Sequence, residues 1–355
     1  MAVLETERYL VDCIDGIPDP SLNPHFIGHQ TAVEHLLGQF ASGKMHHAWL
    51  ITGPKGIGKA TMALRFAAHV FRNPSAAAEN RNYDNILVQD EISSRIAQGG
   101  HPNLLHLSRP WDFDKKKFKT KLTVEEIRRT VGFFGTSAGE SGWRVCLVDA
   151  IDDMNTNASN ALLKILEEPP SNTIFLVLAH SGAGVLPTVR SRCQTLSMKP
   201  LPPNFLIDAL KALGAIDNIP ADQHDLLCDL AEGSVRRGLV LAQNNGMELH
   251  QEFTQTLNIG GALNWTKVHK LAESVCRKGN EDRYNLLFDI IIRDIEGKAT
   301  GKSGASSDLS SLVQWTDVWE KVRKSRQLVN SYNLDKKQAI LNMFEEMRQA
   351  AQTTN

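Results

Sequence analysis

Apolar residues along the first two hundred positions follow two alternating rhythms. Short, nearly continuous apolar runs at Ala48–Ile51, Leu104–Leu107, Val145–Val148 and Ile174–Leu178 are interleaved with helically spaced stretches at Ala60–Val70, Val124–Phe134 and Ala158–Leu166. Continuous apolar runs mark strands buried on both faces. Strands alternating with helices predict an α/β domain with a parallel sheet and helices on both sides. Past the Pro-rich junction KPLPP at Lys199–Pro203 the strand rhythm stops, and Phe205–Leu213, His224–Ala231 and Val235–Asn244 read as three short helices. Helical spacing then continues through Leu263–Cys276, Asn285–Ile295, Leu309–Asn330 and Lys336–Ala350, broken by the small, polar, loop-like stretch Gly297–Asp308.

The expected organisation is an α/β domain over 1–200, a three-helix domain over 201–246 and an all-helical domain over 247–355. In the last of these, Leu286, Phe288 and Ile290 exceed what a small domain buries alone and predict an assembly surface. The length of 355 residues agrees with two or three domains.

Lys plus Arg number 39 against 40 for Asp plus Glu, a net charge of -1, so no molecule-wide field holds nucleic acid or a membrane. Any DNA contact must be local or shared with partners. Five cysteines without a close pair fit neither a disulfide framework nor a structural zinc site, and no run approaches the ~20 apolar residues of a membrane span. A cytosolic protein without zinc is expected.

The first chemical motif follows the first strand. GPKGIGKAT, Gly53 to Thr61, matches a phosphate-binding loop: Gly53, Gly56 and Gly58 let backbone N–H groups curl around phosphate oxygens, and Lys59 reaches the outer phosphates. The next position, which supplies a Mg²⁺-binding hydroxyl in active loops, is Ala60. Thr61 is displaced by about 100° around the helix and is a doubtful substitute. Asp149 ends the strand Val145–Val148, where ligands of open α/β sheets bind, yet the following residue is Ala150 rather than a water-polarising carboxylate. Asp152 and Asp153 read as charges at a helix N-terminus, turned away from the phosphate position. ATP or ADP binding is doubtful and hydrolysis is not expected.

NALLKILEEPPSNTIFLVLAH from Asn160, LPTVRSRCQTLSMKPL from Leu186, AWLITGPKGIGK, HPNLLHL at His101–Leu107 and VCLVDAIDDMN together resemble the AAA+ clamp-loader family of DNA replication. Within it they are similar to the delta-prime group of subunits of bacterial DNA polymerase III. The resemblance runs from Phe26 to about Leu241, and NLDKKQ at Asn333–Gln338 is similar to the helical collar of the same subunits. It implies an AAA+ P-loop-type sheet, a three-helix lid and a collar that joins a ring. The implied partners are delta and tau/gamma subunits, the sliding clamp and primed DNA.

Ser191–Arg192–Cys193 is similar to the signature by which one such subunit presents an arginine to ATP held by its neighbour, which makes Arg192 the expected catalytic group in trans. The family pattern also assigns Gly53, Gly56, Gly58, Lys59, Thr61, Asp149 and, from GSVRRGL, Arg236 to a degenerate nucleotide site. Ala179–His180–Ser181 stands where active relatives carry a Thr or Asn. The alternative is a catalytically active AAA+ motor subunit, against which Ala60 and Ala150 argue.

Three further features have plainer readings. Glu167 and Glu168 end a helix at its unfavourable pole, which predicts a partner for them, solvated carboxylates being the alternative. DKKKFKTK at Asp114–Lys121 reads as a solvated hairpin tip, with phosphate binding as its second reading. Trp315 and Trp319, one helical turn apart, read as packing residues rather than base-stacking ones. Phe71–Gly100 reads as a loop plus a short helix.

Overall fold

The computed structural model of the chain describes residues 11–75, 83–135, 142–257, 263–301, 309–332 and 334–353. The chain divides into two compact units, Met1–Asp217 with Ala231–Arg237, and Asn218–Leu230 with Gly238–Asn355.

The first unit opens with α1 (Gln30–Ala41), β1 (Ala48–Thr52), α2 (Lys59–Arg72) and α3 (Glu91–Ala97). It continues with β2 (Leu104–Ser108), a short antiparallel ribbon of β3 (Trp111–Asp112) and β4 (Lys117–Phe118), and α4 (Val124–Gly135). There follow β5 (Arg144–Asp149), α5 (Thr156–Glu167), β6 (Thr173–Ala179), α6 (Pro187–Arg190), β7 (Gln194–Ser197) and α7 (Pro203–Ala212). Five strands form one sheet in the order β2-β5-β6-β1-β7, with every pairing parallel.

Alternation along the central strands divides the core in two. Trp49 and Ile51, Val145 and Leu147, and Ile174, Leu176 and Leu178 face α1 and α2, where Leu36, Phe40, Met62 and Phe66 meet them. Ala48 and Leu50, Cys146 and Val148, and Phe175 and Val177 face the other way, onto Ile127 of α4 and Ala158, Leu162 and Leu166 of α5. The expected α/β sheet with helices on both faces is thus the observed one.

Elements beyond the expected ones include α1, although Val33, Leu36, Leu37 and Phe40 give it helical spacing, and β7. The strand β7 reads QTLS, a polar edge strand whose one buried residue is Leu196, so its pairing to β1 rather than its composition makes it a strand. The helix expected within Phe71–Gly100 is α3, capped by Asp90, whose carboxylate accepts the Ser93 N–H at 2.9 Å and pairs with Arg72. Residues 76–82 of that segment, like most of the 297–308 loop, lie outside the described residues.

The second unit is helical. Of the three short helices expected after the junction, α7 belongs to the first unit, α8 (His224–Ala231) to the second except for its last residue, and α9 (Val235–Gln243) begins in the first and continues in the second. Then come α10 (Gly246–Thr254), α11 (Trp265–Val275), α12 (Glu281–Ala299), α13 (Leu309–Tyr332) and α14 (Lys336–Thr353).

Leu286, Phe288 and Ile290 correct the sequence expectation. All three are buried within this unit, because α12 is covered by its helical neighbours and Arg326 of α13 lies over the Phe288 ring while pairing with Asp289. Exposed apolar side chains stand instead on α13, at Val313, Leu328 and Tyr332. Trp315 is buried under Lys298, and Trp319 donates its indole N–H to Glu296 at 2.7 Å, as packing residues do. Among the described residues no helix is long and apolar enough to cross a membrane.

Candidate functional site

The phosphate-loop sequence lies at the carboxyl end of β1 and turns directly into α2. Gly53, Gly56 and Gly58 have φ of 149°, 81° and 104°, a region that side chains with a Cβ adopt at a cost of roughly 1–2 kcal/mol. Crowding adds to the requirement at Gly53, where a Cβ would stand 2.4 Å from the Met198 carbonyl oxygen. Lys59 opens α2, is buried, and donates its ammonium to the Gly53 and Pro54 carbonyls at 2.6 and 2.7 Å. Ala60 follows it, and Thr61 is buried in α2.

Asp149 ends β5 on the same carboxyl edge of the sheet, 3.8 Å from the His106 ring. Asp152 and Asp153 do not serve a helix dipole as expected. Ile151–Asp153 is a separate 3-10 turn, and α5 starts later, with Asn155 as its cap accepting the Ala158 N–H at 2.8 Å. Asp152 accepts the backbone N–H of His180 at 2.7 Å, tying the end of β5 to the end of β6.

Burial pushes Lys59 down to about 8, the carboxylates of Asp149 and Asp152 opposing the shift. Burial also lowers the His180 imidazole, and the Lys59 charge adds to that. A lysine whose pKa falls on folding leaves the unfolded chain holding an extra proton between about 8 and 10.5, so its contribution to stability rises with pH across that window. Denaturant unfolding of the wild type and Lys59→Met, compared near neutrality and near pH 10, is expected to show the wild type gaining on the variant at high pH. A stability difference independent of pH would mean that Lys59 keeps its ordinary pKa.

Two residues that sequence analysis did not select complete this corner. Asp12 pairs with Lys55 of the loop at 2.6 Å and with Arg109, just beyond β2, at 3.3 Å, while Arg109 also binds Asp153 at 3.0 Å. Burial raises the Asp12 carboxyl, but Lys55, Arg236 and Arg109 together outweigh it and leave the carboxyl below its ordinary value. Arg236 reaches the loop mainly through its backbone. Its N–H donates to the Gly56 carbonyl at 3.1 Å, the Ser234 hydroxyl donates to Lys55 O at 2.9 Å, and the Arg236 guanidinium donates to the Asp12 carbonyl. The place of Arg109 at the carboxyl edge of the sheet was a usable signal. Asp12, in a segment without periodicity, offered none.

Arg192 stands elsewhere. Pairing of Trp49 with Gln194 and of Thr52 with Ser197 puts the start of β7 level with the amino end of β1. Arg192 precedes β7 and Gly53 follows β1, so the arginine and the loop lie at opposite ends of the sheet, about 15–20 Å apart at ~3.3 Å per residue. Its guanidinium donates to the Thr188 carbonyl at 2.9 Å and pairs with Glu167 at 2.5 Å. Glu167 therefore has the partner its position predicted. Arg190 donates to the Gly182 carbonyl, and burial raises the Cys193 thiol to about 11, as befits a structural cysteine.

Chemically, the loop side gathers Lys55, Lys59, Arg109 and Arg236 among the carboxylates of Asp12, Asp149, Asp152 and Asp153, without a hydroxyl after Lys59 or a carboxylate after Asp149 to activate water. The Arg192 side offers a held guanidinium with no phosphate loop of its own within reach.

The profile of the DNA polymerase III, delta subunit family matches residues 28–202. The delta-prime subunit of DNA polymerase III from Pseudomonas aeruginosa is 30% identical over 256 residues, 72% of each chain, and that from Bacillus subtilis is 33% identical over 175 residues, 49% of each chain. The gamma subunit of Buchnera aphidicola is 29% identical over 222 residues; the chain spans 56% of its length. A gamma-subunit-related protein of Thermotoga maritima aligns with 91% of the chain and 100% of its own at a TM-score of 0.44 and 15% identity. The Pseudomonas aeruginosa relative, matched at 30% identity over 72% of both chains, together with a parallel α/β sheet that carries a phosphate-loop sequence after β1, identifies the chain as a member of the delta-prime family of DNA polymerase III clamp-loader subunits.

Proposed function

We propose that this chain acts in DNA replication as a delta-prime clamp-loader subunit that hydrolyses no ATP itself and completes a neighbour's ATP site with Arg192. The observation that carries this reading is the separation of Arg192 from its own P-loop by the length of the sheet. An arginine so placed serves no phosphate in its own chain, whereas one inserted from a neighbour neutralises charge on a transferring phosphoryl group. Thr188 and Glu167 hold its side chain, so little freedom is lost on docking.

The degenerate site supports the other part of the proposal, that the chain hydrolyses no ATP itself. Gly53, Gly56, Gly58 and Lys59 keep the cradle. Ala60 and Ala150 remove the metal hydroxyl and the water-polarising group, and Lys55 and Arg236 are engaged with Asp12. A nucleotide held here would rest on loop amides and Lys59, with Thr61 and Asp149 as its only replacements for metal ligands. The proposed assembly partners are delta and tau/gamma subunits, joined through the helical region as a collar. The sliding clamp and primed DNA are the proposed objects of the complex, and the cytosol its compartment.

The purified chain is expected to show no ATPase above background, and adding it to the partner ATPase is expected to raise that enzyme's clamp-dependent turnover. Steady release of phosphate by the chain alone, abolished by Lys59→Ala, would instead establish the active-motor alternative.

A further inference from the structure

The lysine-rich ribbon of the first unit has no part in the proposal above. Lys115, Lys116, Lys117, Lys119 and Lys121 fall on β4 and the segments flanking it, and all five are exposed. Among the described residues none of their ammonium groups lies within 4.0 Å of a carboxylate. Against Asp112 and Asp114 they leave the ribbon at net +3, on a chain whose total is -1. The frame that carries them is defined: Trp111 and Phe118 meet edge to face at 4.9 Å, the Lys119 N–H donates to the Pro110 carbonyl at 2.9 Å, and Asp112 accepts the Lys115 N–H at 3.1 Å. Phe113, between Asp112 and Asp114 and two residues ahead of the first lysine, has 75% of its surface exposed.

Like charges gathered on a narrow ribbon repel one another, and a polyanion relieves that repulsion while releasing its own counterions. Lysine ammonium groups on flexible stems suit backbone phosphates, which need charge without fixed geometry. An exposed ring on the same ribbon, Phe113 just ahead of the lysines, suits a base already out of the stack. We propose that the β3–β4 ribbon binds the phosphate backbone of single-stranded DNA without sequence preference, Phe113 stacking on a base. The inference rests on the ribbon alone and holds or fails independently of Arg192.

The test is fluorescence anisotropy of labelled oligothymidine, and of a duplex of equal length, with the full chain. The variant Lys115→Gln/Lys116→Asn/Lys117→Gln removes three charges, and asparagine at 116 tolerates the left-handed turn, φ 49°, that Lys116 adopts. With five phosphates neutralised, wild-type affinity should fall about 100-fold between roughly 50 and 200 mM salt, against roughly 10-fold for the variant. Phe113→Ala should weaken the single strand by about 5-fold or more and the duplex less. The proposal is overturned by undetectable wild-type binding, by a variant of wild-type melting temperature with unchanged affinity and salt dependence, or by tighter binding to phosphatidylserine vesicles than to DNA. None of these outcomes bears on partner ATPase, which reads the clamp-loader proposal separately.

Discussion

Arg192→Ala is expected to leave the chain folded and the complex assembled while lowering turnover at the neighbour's ATP site it is proposed to serve by ~10³-fold or more, the effect of removing a trans arginine from a phosphoryl-transfer site. Its contacts within the chain are a carbonyl, a neighbouring hydroxyl and one half-exposed carboxylate, Glu167. A surface pair of that kind contributes at most about 1 kcal/mol, so the melting temperature should barely move. Total ATPase of a ring with several sites should fall only by the share of the affected one. Clamp loading, which needs the sites to act together, should fall further. Arg192→Lys should rescue poorly because an ammonium lacks the two-pronged donor geometry of guanidinium. Glu167→Gln keeps the shape, removes the counter-charge and should leave most of the activity. Equal losses of assembly and ATPase in Arg192→Ala would make the residue an interface strut, and unchanged ATPase with unchanged loading would remove the trans role.

The second large effect belongs to the loop. Gly56→Ala is expected to destabilise the first unit by about 2–4 kcal/mol, because the substitution adds a left-handed backbone penalty to overpacking at one atom. The added Cβ would lie 2.3 Å from Arg236 Cβ and 2.6 Å from Ser234 Oγ, at φ of 81°. For a unit of this size the fall in melting temperature should be about 6–12 °C. Gly43→Ala is the matched control: its φ is 70° and nothing stands within 4 Å of its Cβ, so only the backbone penalty of about 1 kcal/mol remains. If the two variants melted together, the 234–236 segment would not be packed on the loop, and the link between Arg236 and Gly56 would be lost with it.

The phosphate loop shows how sequence and structure divide the information at this site. The glycines, Lys59 and the strand-to-helix setting are contiguous in sequence, and the loop conformation they encode is local, so the motif alone located them. What closes around the loop is not contiguous: Asp12, Arg109 and Ser234–Arg236 come from segments scattered along the chain, and each is an ordinary polar residue in its own neighbourhood. The same holds for Asp152. Its place just after the strand Val145–Val148, ahead of a helical pattern, suggested a dipole role, and only the later start of α5 and the hydrogen bond to His180 assign it to the loop corner.

The sequence by itself determined the α/β class, the position of the P-loop, the loss of its metal hydroxyl and the helical tail, because apolar periodicity and motif spacing are properties of consecutive residues. It marked Arg192 and Glu167 separately. Tertiary structure alone decided that these two meet, that β7 pairs with β1 and thereby carries Arg192 to the far end of the sheet from the P-loop, and that Leu286, Phe288 and Ile290 are consumed inside the helical unit. Strand order, the burial of one helix by others and ion pairs between distant segments depend on which surfaces meet when the whole chain packs, and a one-dimensional pattern leaves those choices open.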